Sequence, residues 1–310
     1  MFKTTKPLFL ICETPLHAGS GDDLGMVDLP IQRERHTDYP KIEASSLKGS
    51  LREAFEAILG WKPKQPENPI VKLLFGPEDA GNDAHSGSLA VTDARTLLFP
   101  VKSMKGVFVW VSCPTVMNRF AKDLRIAKNV SLSNILKTWS TVEIEDGHCF
   151  ANTDKVGINN NVVLEEYAFK IDGGISDLAS SLSQKIYGDL PELAYWKELL
   201  ETNLVVLSNN DFRDFVVQST EVITRIRINN ETGTVEDGAL FTEEYLPSES
   251  IMYTLVSSSD EFSKRSTEEK FTSEKSMEEF QSVLGKLNNI FQLGGNATLG
   301  KGVLRAKLIS

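Results

Sequence analysis

Near its amino end the chain runs for roughly thirty residues with almost no hydrophobic periodicity, and the elements on either side of that stretch limit what the fold can be. Before it, Pro7 to Leu16 reads as a strand, because Phe9, Leu10, Ile11 and Cys12 form the short continuous apolar run of a buried strand. After it, Leu47, Leu51, Ala54, Phe55 and Ile58 recur at helical spacing, with Ser45 and Ser46 placed to cap the helix and Gly60 to stop it. Loops of this length inside a compact domain are usually functional or disordered. Here the residues from 17 to 44 include glycines, carboxylates, histidines and bases, and that composition favours function.

The residue types in the loop suit contact with phosphates. Gly19, Gly21 and Gly25 let a backbone come close to a ligand, and a helix starting near Ser46 directs amide hydrogens at whatever lies before it. Lys48 and Arg52, four apart, share one helical face and match a polyanion, although a solvated face is the alternative. Far along the chain, VITRIRI at 222–228, NNETG and TVEDGALF make a hairpin signature. Arg225 and Arg227 fall on one side of its first strand, where they either meet a nucleic-acid backbone or simply face water.

A net charge of -10 counts against a nucleic-acid binder until its distribution is examined. Acids dominate from Glu231 to Glu279, whereas Gln281 to Ser310 holds Lys286, Lys301, Arg305 and Lys307 and no acid. Such segregation favours head-to-tail packing of identical copies. Three scattered cysteines, Cys12, Cys113 and Cys149, give neither a disulfide framework nor a zinc pattern. The apolar run after Lys3 and Lys6 is broken at Glu13, too early for a signal peptide, and no stretch approaches a membrane span, so a reducing cytoplasm is expected. No P-loop or dinucleotide fingerprint is present, which weakens any reading as a nucleotide-using metabolic enzyme.

Taken in order, the pattern predicts strands over Ser88 to Ala94 and Val107 to Cys113, a helix from Thr115 to about Lys128, and a loop-rich span from Asp123 to Asp172. Helices are expected around Glu192 to Glu201 and Asp211 to Val217, then the hairpin, then the strand IMYTLVSSS. Phe280, Val283, Leu284, Leu287, Ile290 and Phe291 predict a last helix stopped at Gly294, followed by the strand VLRAKLI. Apart from one extra strand this is the βαββαβ order of an α+β chain with a ferredoxin-like, RRM-type core. The layout is then residues 1–114 as the first part of the core, 115–250 as an insertion with helices and a protruding hairpin at about 222–247, and 251–310 as the remainder with a Gly-rich loop.

The succession LHAGSG, VDLPIQRE, HTDYP and SSLKGSLR, with VTDARTLLFPV, RIRINNETGTVEDGALFTEEYLP and LGGNATLGKG later, resembles the repeated backbone subunits of type III-B CRISPR effector complexes, within the RAMP superfamily of guide-RNA-binding proteins. The resemblance spans nearly the whole chain, and VDLPIQRE joined to SSLKG is its most specific part. It implies a row of copies along a CRISPR guide RNA, other subunits of the effector complex as partners, and no membrane. Ser46, Lys48 and Arg52, with Gly294, Gly295, Asn296 and Lys301, would then contact the guide. Hairpins carrying Arg225 and Arg227 would interrupt the guide–target duplex at intervals. It further implies cleavage of the complementary target RNA beside each interruption, with Asp28 as the catalytic residue, acting as a base or holding a divalent ion such as Mg2+ or Mn2+. His17, in LHAGSG, is close enough in sequence to serve as an acid or an RNA contact, or else anchors the loop, while Glu243 and Tyr245 occupy family positions that line such a site. Asp22 and Asp23 lie close by and either share the metal or are solvated. A non-catalytic RNA-binding scaffold remains the alternative, and Asp28 discriminates between the two.

Overall fold

A strand buried on both faces needs cover on both sides, and Thr4–Cys12, whose last six residues are all buried, has it. In register with it, Phe9 pairs with Tyr253 of strand Ile251–Ser258, and both rings meet Phe120 of helix Pro114–Ile126, at 5.7 and 4.4 Å between centroids. The other side is covered by helix Ala44–Ile58 and helix Ser273–Lys286, joined where Phe55 stacks on Phe280 at 5.6 Å. Both rings are fully buried. Burial of a side chain of this size contributes about 2–3 kcal/mol, so truncating Phe55 to alanine would cost about 3–5 kcal/mol.

The computed structural model describes residues 2–309 apart from 23, 24, 26, 61–65, 79–83, 129, 189 and 264–269. It is a mixed α/β chain built on a twelve-stranded mixed sheet. From one edge the strands run Ile290–Gln292, Val303–Leu308, Thr4–Cys12, Ile251–Ser258, Ala94–Lys102, Phe108–Ser112, Leu204–Leu207, His148–Ala151, Tyr167–Gly173 and Asn161–Leu164. Short strands Lys41–Ile42 and Leu89–Val91 pair with Ala94–Lys102 and Ile251–Ser258. Most pairs are antiparallel, and two are parallel. A separate two-stranded hairpin pairs Glu221–Ile228 with Val235–Tyr245. No helix among the described residues is long and apolar enough to cross a membrane.

Several local expectations are corrected. The strand expected over Ser88 to Ala94 divides into Leu89–Val91 and Ala94–Lys102, and the second is the partner of Phe108–Ser112. The supposed loop-rich span from Asp123 to Asp172 contains helix Val130–Ser140 and three strands that extend the sheet. Helix Ser176–Tyr187 follows, and the sequence pattern missed it. The insertion therefore adds strands to the sheet as well as helices.

Helix ends differ too. The last helix stops at Lys286, not Gly294, because Asn288 and Asn289 take left-handed conformations and release Ile290–Gln292 to pair with the carboxyl-terminal strand. Apolar spacing alone cannot separate those two outcomes. Helix Ala44–Ile58 begins at Glu43 without a side-chain cap of its own, and the Ala44 N–H donates instead to Asp93 Oδ1 at 2.9 Å. All three cysteines are free and buried, and burial pushes each thiol up and leaves it inert.

Candidate active site at the hairpin base

Strand Val235–Tyr245 alternates its side chains between two faces, so Thr242 and Glu244 share one side while Glu243 and Tyr245 share the other. The VDLPIQRE segment lies along this strand. Leu29 bridges Glu243 in parallel fashion, donating its N–H to Thr242 O at 3.0 Å and accepting from Glu244 N at 3.0 Å. Asp28 therefore sits at the foot of the hairpin, exposed to solvent. Its Oδ2 accepts from the Thr242 N–H at 2.7 Å and the Thr242 hydroxyl at 2.8 Å, while its own N–H donates to Thr242 Oγ1 at 3.0 Å. These bonds to the ionised form, the backbone one foremost, hold the carboxyl below its usual range. Asp28 Oδ1 accepts no hydrogen bond from any described residue.

Glu243 has a different setting. Its side chain is almost wholly buried, and Oε2 accepts from Arg225 Nε at 2.7 Å, the Tyr245 hydroxyl at 2.7 Å and Asn296 Nδ2 at 3.2 Å, with Oε1 3.1 Å from the same amide. Burial raises this carboxyl, and the hydrogen bonds from Tyr245, Asn296 and Arg225 outweigh it to leave the group below the usual range. Arg225 Nη2 and Asn296 Nδ2 also donate to the Tyr245 hydroxyl, at 2.7 and 2.8 Å. Lys301 Nζ lies 4.9 Å above the Tyr245 ring. The network ties the hairpin to the Gly-rich loop near the carboxyl end.

His17 completes this side. Its ring lies 5.6 Å from that of Tyr245, and Nδ1 is 2.7 Å from the Glu244 carbonyl, which can only accept, so Nδ1 carries the proton and Nε2 the lone pair in the neutral ring. The Gly295 N–H donates to His17 O at 2.9 Å. Gly294 has φ +88°, and a Cβ there would stand 2.4 Å from the same oxygen, so no other residue fits without a shift. His17, Glu243, Tyr245, Arg225, Gly294, Gly295, Asn296 and Lys301 are thus gathered into one cluster.

Other candidates lie elsewhere. Lys48 Nζ donates to Leu89 O at 2.8 Å, and burial, then the neighbouring Arg52, lowers its pKa. Arg52 bonds to Glu56 at 2.8 Å, to Gly76 O at 3.1 Å, and to Glu67. Ser46 lies 3.5 Å from Gln32 Nε2. Arg227 is 78% exposed, with Glu236 3.7 Å away. Asp22 is exposed, and Asp23 lies outside the described residues.

Sequence reasoning overlooked the rest of the VDLPIQRE motif. Gln32 Oε1 accepts from Glu43 N at 2.7 Å where the first helix begins, and Arg33 bonds to Glu244, to Asp38 O at 2.8 Å and to Val216 O at 2.9 Å. Glu34 accepts from Arg119 at 2.6 Å and Thr37 at 2.6 Å. Thr242 was missed as well, since a threonine within a strand is ordinary. Its place beside Glu243 in the LFTEEYLP run was the only signal.

No three His, Cys, Asp or Glu side chains converge as a metal cage among the described residues. Asp28 Oδ1, which has no bond to another described residue, offers a single carboxylate oxygen of the kind a hydrated divalent ion takes.

A model of the RAMP superfamily matches residues 9–305. The chain is 38% identical over 299 residues to a Pyrococcus furiosus protein described as CRISPR system Cmr endoribonuclease Cmr4, covering 95% of this chain and 92% of the relative. The crystal structure of oligomeric Cmr4 from the same organism superposes with TM-score 0.71 at 29% identity, over 99% of this chain and 98% of the other. A chain of a type III-B Cmr-beta assembly bound to cognate target RNA shares the fold, with TM-score 0.74 at 22% identity and coverage of 99% and 98%.

Proposed function

The chain belongs to the RAMP superfamily, and from that premise we propose that it is the guide-RNA-binding backbone subunit of a type III-B CRISPR complex and cleaves complementary target RNA at regular intervals. The observation that carries the reading is Asp28, an exposed carboxylate fastened through one oxygen at the foot of a hairpin, with no other described residue bonded to its second oxygen. The relative's description as an endoribonuclease and the oligomeric crystal form of the similar protein support it.

Copies stack head to tail along the guide, and each hairpin enters the guide–target duplex. A ferredoxin-like core is supported by the order Val303–Leu308, Thr4–Cys12, Ile251–Ser258 and Ala94–Lys102 in the sheet, with the two covering helices in the crossovers. Guide contacts come from the Ser46 end of the first helix, from the loop Gly294–Lys301, and from the N–H donors that Lys48 and Arg52 keep beyond their bonds to Leu89 O, Glu56, Glu67 and Gly76 O. Arg225 braces the hairpin through Glu243 and Tyr245, and exposed Arg227 meets the RNA backbone.

At each interruption the displaced target nucleotide brings its ribose 2′-hydroxyl into line with the adjacent phosphate. Asp28 Oδ1 takes the hydroxyl proton, the 2′-oxygen bonds to phosphorus, and the 5′-oxygen leaves with a proton from water, giving a 2′,3′-cyclic phosphate and a 5′-hydroxyl. In the alternative, Asp28 would hold a hydrated divalent ion, which would supply charge stabilisation at the phosphate. His17, Glu243 and Tyr245 shape the floor of the site and hold its two loops together.

The test is reconstitution with guide RNA and companion subunits, comparing wild type and Asp28→Ala on labelled complementary RNA with and without divalent ion. Regularly spaced products that vanish in the variant while RNA binding persists support the reading. Unchanged products move the chemistry to another residue or subunit, and no cleavage by either protein makes the chain a scaffold.

A further inference from the structure

We propose that Thr242 is the positioning residue for Asp28: its hydroxyl and backbone amide fix one carboxylate oxygen and turn the other toward the scissile phosphate. The inference rests on the cleavage role given to Asp28 above.

Three bonds join the two residues across 214 positions of sequence. The Thr242 hydroxyl accepts from Asp28 N, so its own hydrogen is directed at Oδ2, and neither end of the pair keeps a free rotation. An exposed aspartate would otherwise sample several staggered rotamers, each placing its oxygens differently. Two donors on the same oxygen select one of them. Because Thr242 lies in strand Val235–Tyr245 and Leu29 is bridged to Glu243, the carboxylate is also carried by the hairpin. The element that opens the duplex and the group that cuts it then move as one body.

Two variants separate the hydroxyl from the rest of the contact. Thr242→Val keeps the branched shape and the backbone bond but loses the hydroxyl, whereas Thr242→Ser keeps the hydroxyl and loses a methyl group.

The experiment uses the reconstituted complex with guide RNA, measuring single-turnover cleavage of a complementary RNA, together with target affinity. Thr242→Val is expected to slow cleavage about 10- to 100-fold, with affinity unchanged. Thr242→Ser should recover most of the rate. In an Asp28→Ala background Thr242→Val should change nothing further. A wild-type rate in Thr242→Val, with Asp28→Ala inactive, overturns the positioning role and leaves the functional reading standing. A Thr242→Val rate loss matched by an equal affinity loss, not recovered by serine, makes the residue merely structural and also overturns it. Wild-type cleavage by Asp28→Ala is the separate failure of the functional reading itself.

Discussion

Asp28 and Glu243 are carboxylates held against the same stretch of hairpin strand, and both lie below their usual range because hydrogen-bond donors favour the charged form. They differ in what is left over. Glu243 is buried with both oxygens bonded to Arg225, Tyr245 and Asn296, whereas Asp28 stands in solvent with one oxygen committed to Thr242 and the other bonded to no other described residue. A group that takes a proton or meets a metal needs a free lone pair within reach of substrate. A group that fixes architecture needs every lone pair used. On the proposed reading, Asp28 takes the first duty and Glu243 the second.

The sharpest way to break this contrast is Asp28→Asn, which keeps the shape and removes the charge. Cleavage by the reconstituted complex should fall about 100-fold or more, with the melting temperature unchanged, since the side chain is exposed. Glu243→Gln should show the reverse emphasis. It should cost about 2–4 kcal/mol in urea unfolding, because Arg225 loses its charged partner and the buried network loses an acceptor. Its pH dependence sharpens the point: Glu243 is depressed in the folded state, so its stabilisation is complete above the unfolded value of about 4.3 and is lost as pH falls through the folded value. The stability gap between wild type and Glu243→Gln should therefore close as the pH drops below about 4.

Smaller effects test the frame of the site. Gly294→Ala puts a methyl group against His17 O at a positive φ, and should cost about 1–3 kcal/mol and loosen the loop that carries Asn296. Limited proteolysis near residues 294–301 would register it. Arg227→Ala, at a guanidinium 78% exposed, should move stability by less than about 0.5 kcal/mol. If RNA affinity falls in that variant while stability holds, the exposed arginine is an RNA contact; if neither changes, it is a solvated side chain.

Features set by neighbours in sequence were legible: the buried first strand, the Leu47–Leu51–Phe55 face, the hairpin with its Asn and Gly turn, and the carboxyl-terminal strand. The motif run also marked Asp28. Periodicity failed where one spacing suited two structures, as at Ile290 and Phe291, and where strands were short and polar at their ends, as from His148 to Gly173.

By itself the sequence determined many of the segments that bury an apolar face, and it confined the chemistry-bearing residues to two loops, the first helix and a hairpin. Only the tertiary structure decided what each of those residues is free to do. Arg225, drawn in the sequence as an outward cation, is turned to Glu243 and Tyr245, and Lys48 and Arg52 are bonded to their own chain. Asp28 gains its fixed oxygen from a threonine 214 positions away. Local pattern records the burial of a side chain because burial repeats with the helix or strand period, but the partner of a polar atom is set by which distant segments the core brings together.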